Sequence, residues 1–86
     1  MLATLPTASF TIRGSRPVTI EVNGVFDAGA AVGFQALADS LIGDQHVTID
    51  LGRCSRVDNA ARDAIDLVVH RIEGAGGTAA VVCRAI

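Results

Sequence analysis

The sequence has no tryptophan, no tyrosine and no lysine, and only two cysteines and two prolines in 86 residues. Each absence removes a class of protein. Nucleic-acid modules carry a basic stripe, often interleaved with exposed aromatic rings for stacking. Here every basic residue is arginine, the seven are scattered along the chain, and the net charge is −2, so no nucleic-acid partner is expected. Cys54 and Cys83 alone do not make a disulfide framework. With His46 and His70 they are too widely spaced for a zinc pattern, so no metal and no cofactor is expected. Met1 to Thr7 lacks a charged stretch followed by a long apolar run, which is the mark of a secretory signal. No segment reaches the roughly 20 apolar residues that span a bilayer. A cytoplasmic protein without direct membrane insertion is the expectation.

What remains is an apolar chain of small packing residues. Half of it is hydrophobic and mean hydropathy is +0.46, too apolar for a disordered chain. Its length allows one compact domain that buries roughly 60% of its unfolded surface. Residues 1–8 read as a flexible lead containing Pro6, and residues 9–86 as the single domain.

Hydrophobic periodicity sets the order of elements. Phe10 and Ile12 alternate with polar neighbours, Gly14 to Pro17 reads as a turn, and Val18, Ile20 and Val22 alternate again, giving a hairpin. Pro17 stands just before its strand, where proline is tolerated. Gly24 to Asp27 closes that strand. Asp27 caps a helix in which Ala30, Phe34, Leu37, Ala38, Leu41 and Ile42 share a face, with Gly43 as its stop. Val47 to Leu51 is a third strand, followed by a loop through Cys54.

The second helix has the clearest pattern. Ala61, Ala64, Ile65, Val68, Val69 and Ile72 follow helical spacing, while Arg62, Asp63, Asp66, His70 and Arg71 face outward. Asp58 or Asn59 caps it, and Gly74 to Gly77 ends it. Thr78 to Cys83 is a near-continuous apolar run, as in a strand covered on both faces, which places Cys83 in the core. The fold class is therefore α/β. The order β-β-α-β-α-β builds a mixed four-stranded sheet, with its helices mainly on one face.

Three segments, read in order, resemble the STAS family: Val47-Thr48-Ile49-Asp50-Leu51, then Asp58-Asn59-Ala60-Ala61, then Gly76-Gly77 before an apolar strand. Upstream, Gly24-Val25-Phe26-Asp27 is similar to the family's Gly-Glu-Leu-Asp turn. The resemblance covers about Phe10 to Cys83. It implies a non-catalytic regulatory module of the anti-sigma factor antagonist type. Such a module binds an anti-sigma factor of the histidine-kinase-like class and so acts on transcription in bacteria. The contact surface it implies is Asp27, Ser55, Asp58, Asn59, Arg62, Asp63 and Asp66. In switched antagonists the residue after the loop Asp is a phosphorylated Ser or Thr; here it is Asn59, which has no hydroxyl. Ala61 stands for the family's Gly, and Arg62 for an apolar residue. The resemblance implies a further helix after the last strand; none is read in this sequence, so a flank open to a partner or a second copy is the expectation, and a homodimer stays open.

Two other functions stay in view. STAS domains also serve as small subunits bracing the ATPase of lipid-transporting ABC systems. A small enzyme would use Asp58 and Cys54, with Asp27 and Asp58 as an acid/base pair. Helix capping explains both carboxylates with less machinery, and no base or nucleophile motif surrounds Cys54. Gly74 to Gly77 follows a helix and precedes a strand, which is the wrong end for cradling phosphate.

Overall fold

The computed structural model describes residues 8–14, 17–40 and 46–83. Its elements are β1 (Ala8–Arg13), β2 (Val18–Phe26), α1 (Ala28–Asp39), β3 (His46–Val57), α2 (Asn59–Gly74) and β4 (Thr78–Val82). They form one four-stranded sheet in the order β1-β2-β3-β4. β1 and β2 are antiparallel, joined by a short connection, whereas β2–β3 and β3–β4 are parallel pairs reached through α1 and α2. That division follows from chain length: a few residues can reverse a strand, but a parallel return needs a crossover helix.

Period-2 alternation decides which side the helices cover. Val18, Ile20 and Val22 of β2 and Val47, Ile49 and Leu51 of β3 are buried, and the register sets Ile20 beside Ile49. All of these but Val18 meet Ala31, Phe34 and Ala38 of α1 and Ala61, Ala64, Ile65, Val68 and Ile72 of α2 in one core. The alanines are small enough for α1 and α2 to pack against each other as well as the sheet. All three phenylalanines gather at the β1–β2 side of this layer. Phe26 and Phe34 meet edge to face at 5.2 Å, with Phe10 about equally distant from both at 6.0 and 6.1 Å. An edge-to-face pair adds about 0.5–1.5 kcal/mol beyond its buried area. Arg71 of α2 reaches Asp39 of α1 at 2.9 Å, but both are about half exposed, and such surface pairs contribute little.

The opposite face of the sheet is polar. Thr11 and Arg13 of β1 pair with Glu21 and Thr19 of β2, beside Asp50 and Thr48 of β3. The Glu21 carboxylate, 13% exposed, lies 3.1 Å from Arg13 and 3.9 Å from Arg53. Two arginines distant in sequence are thus gathered on one carboxylate.

Several expectations change. β3 runs to Val57, so Cys54 and Ser55 lie in a strand and not in a loop. Its polar second half is held because β2 also continues, to Phe26, and pairs with it. The apolar β4 is an edge strand and not one covered on both faces: Val81 and Val82 are 42% and 41% exposed. Cys83, expected in the core, is exposed at its end. β1 starts at Ala8, within the stretch expected to be the lead. α1 is described to Asp39, with Ser40 as its C-cap; the expected Leu41, Ile42 and Gly43 lie outside the described residues. At the end of α2, Gly76 adopts φ 94°. Gly77 N donates to Ile72 O at 2.9 Å and Gly76 N to Glu73 O at 3.1 Å, the paired closure that a left-handed glycine permits.

Candidate functional site

β2 and β3 end in register, Phe26 beside Val57, so the residues that follow are neighbours. These are Asp27 and Asp58, each extended in backbone and each the N-cap of the next helix. Asp27 Oδ1 accepts from Ala30 N at 3.0 Å and Asp58 Oδ1 from Ala61 N at 3.2 Å. A carboxylate suits both places, because free amides and the positive helix end converge there. The two residues expected to lie near each other follow paired strand ends, and each carboxylate caps its own helix.

Capping also settles the place of Asn59. Asp58 is the cap, so Asn59 is the first helical residue and its exposed side chain makes no hydrogen bond among the described residues. The alternative in which Asn59 itself caps α2 is thereby removed. One and two turns on, Arg62, Asp63 and Asp66 are exposed, so the helix start presents a continuous polar surface.

Ser55 reaches the same end of the sheet by a different device. The register passes from Gly24–Cys54 to Val25–Arg56, leaving Ser55 without an opposite residue. This is a bulge, which turns a side chain out of the regular alternation. Ser55 is exposed. A second irregularity lies between Glu21 and Asn23 of β2, where Asp50 Oδ1 accepts from Gly52 N at 2.8 Å.

Cys54, half-buried, donates its thiol to Val22 O at 3.5 Å. Burial pushes this thiol up from its ordinary value, and neighbouring Cys83 and Asp50 act in the same direction. A nucleophilic cysteine needs the reverse. Among the described residues no group of three or more His, Cys, Asp or Glu side chains is placed to hold a metal ion. No helix among them is long and apolar enough to cross a membrane.

One feature escaped the sequence reading. A groove of about 420 Å³ opens beside the α2 start, lined by Leu51, Val57, Ile65, Val81 and Cys83, with Arg62 and Asp66 also at its walls. Its only sequence signal was the uninterrupted apolar run of β4.

No family model and no curated protein matches the sequence. Solved structures do match the fold. An anti-sigma-factor antagonist STAS domain from Rhodobacter sphaeroides superposes with a TM-score of 0.71 at 21% identity, covering 88% of this chain and 86% of that one. A structure of Mglu matches with a TM-score of 0.70 at 25% identity, and Mglu in its native form with 0.67 at 22%. They cover 85% and 88% of this chain but only 18% and 23% of the Mglu chain, so the matched region is less than a quarter of Mglu. A mixed four-stranded sheet with two helices over one face, matched across most of its length by an antagonist domain, gives this chain the STAS-domain fold.

Proposed function

We propose that the chain is a non-catalytic, protein-binding regulatory module that captures an anti-sigma factor of the histidine-kinase-like class. Capture releases the sigma factor and raises transcription from its promoters. The contact surface is the Asp27 turn, Ser55 and the α2 start through Asp58, Asn59, Arg62, Asp63 and Asp66. The observation that carries this reading is the exposed Asn59, free of capping duty, with Arg62 and Asp63 exposed about one turn further along the helix. A side chain there contributes to an external contact without disturbing the core.

Asn59 also bears on control. A phosphate on a hydroxyl there would add about −1.5 to −2 charge beside Asp58 and Asp63 and repel an acidic partner. Asparagine keeps the position neutral, so the module stays in its binding-competent state. The same residue favours a second reading, in which the domain braces the ATPase subunit of a lipid-transporting ABC system, because bracing needs no phosphate switch. Affinity capture from the native cell separates them: a kinase-like anti-sigma factor in the eluate supports the first and an ABC ATPase the second. The domain reading, with residues 9–86 acting as one unit in the cytoplasm, belongs to the same proposal.

A further inference from the structure

The flank of the sheet at β4 is open in three respects at once. β4 is an edge strand, and among the described residues one side of its backbone has no partner strand. Natural edge strands are usually protected by charge, proline or a bulge; β1, the other edge, carries Arg13, whereas Thr78–Val82 carries none of these. The register places Ala79 and Val81 on the helix side of the sheet, beside Val47 and Ile49. There Val81 and Cys83 line the apolar groove under α2.

The walls of that groove identify what covers it. Arg62 and Asp66 stand one turn apart on α2, both exposed and both without an ion-pair partner among the described residues. Opposite charges at this spacing are self-complementary. A two-fold axis perpendicular to the sheet would set two copies of α2 antiparallel, with Arg62 of each copy facing Asp66 of the other. The same axis sets two β4 edges antiparallel, and each groove is closed by the other copy's helix. One operation would thus pair the two β4 edges, cover each groove and set an opposite charge of the other copy beside Arg62 and Asp66, as an isologous interface requires.

We propose that the chain forms a two-fold homodimer through β4 and α2, held in register by reciprocal Arg62–Asp66 pairs. This goes beyond the protein-binding reading and does not depend on it. Where both hold, the second copy and the partner compete for Arg62 and Asp66. The test is the solution mass of the full chain, measured by light scattering and sedimentation equilibrium over a concentration series. The expected mass is twice 8.8 kDa. Arg62→Asp or Asp66→Arg alone places like charges opposite each other twice, and weakens association by roughly tenfold or more. The double variant Arg62→Asp/Asp66→Arg restores it. All these side chains are exposed, so circular dichroism remains that of the parent in each variant. A chain that stays monomeric up to its solubility limit overturns the proposal. So does a dimer that ignores the single reversals, or single-variant losses that the double variant does not repair.

Discussion

The backbone amide of Asp58 donates to the carbonyl of Phe26 at 3.1 Å. The residue that caps α2 is therefore tied to the last residue of β2, directly before the residue that caps α1. Two helix starts are held together by the end of one parallel strand pair, and the proposed contact surface is built on that junction.

Removing the carboxylate at this junction costs helix stability without opening the core. Asp58→Ala leaves Ala61 N without its acceptor and lowers unfolding free energy by about 1 kcal/mol. Asp58→Asn keeps an acceptor at the cap and loses less. Urea denaturation monitored by circular dichroism measures both, and equal losses in the two variants would contradict the capping role.

Asn59 behaves differently because it is exposed and does not cap. Asn59→Ser and Asn59→Asp change stability by less than about 0.5 kcal/mol, the usual range for surface positions. Their effect falls on binding. Asn59→Ser acquires one phosphate when incubated with a kinase-like anti-sigma factor and ATP, and the phosphorylated form loses affinity. Mass spectrometry and calorimetry read the two events; a variant that stays unmodified contradicts the assigned position.

Phe34 is fully buried, its ring 5.2 Å from that of Phe26 and 6.1 Å from that of Phe10. Truncation to alanine removes one of the three rings of this cluster and costs about 3–5 kcal/mol. In a domain of this size that is a large share of total stability. Thermal unfolding of Phe34→Ala measures it, and a loss below that of Asp58→Ala would show that the core is misplaced.

The two cysteines separate by reactivity. Cys83 is exposed, while burial, Cys83 and Asp50 raise the Cys54 thiol. A raised value means less thiolate at any pH below it, so Cys54 alkylates slowly near neutral pH and Cys83 reacts first. The linkage has the same sign: the neutral Cys54 thiol is accommodated below the ordinary thiol range, and stability declines as pH rises through the raised value. Peptide mapping after timed iodoacetamide treatment checks the order; faster labelling of Cys54 contradicts it.

Much of this arrangement is legible in the residues themselves. The helical spacing from Ala61 to Ile72, the alternation of Phe10, Ile12, Val18, Ile20 and Val22, and the caps Asp27 and Asp58 are local signals with local causes. The second half of β3 left no such signal. Gly52-Arg53-Cys54-Ser55-Arg56 is polar because one face of the sheet is open to solvent, and it is extended only because β2 lies beside it. β4 misleads in the opposite sense. Its apolar run suits a covered strand, but its place at the sheet edge is decided by the order of the whole sheet. That misplacement of Val81 and Cys83 is what hides the groove. Whether Asp58 or Asn59 caps α2 likewise depends on one hydrogen bond, from Ala61 N to Asp58, since both residue types cap equally well.

The central claim is that the α2 start binds a kinase-like anti-sigma factor. Affinity capture from the native cell, with parent and Asp63→Arg chains side by side and mass spectrometry of the eluates, tests it most directly. Asp63 lies on the proposed surface but is not assigned to the dimer contact. The account predicts that factor with the parent chain and its loss with Asp63→Arg, whose fold is unchanged. An ABC ATPase in its place, or a factor retained equally by both chains, would contradict it.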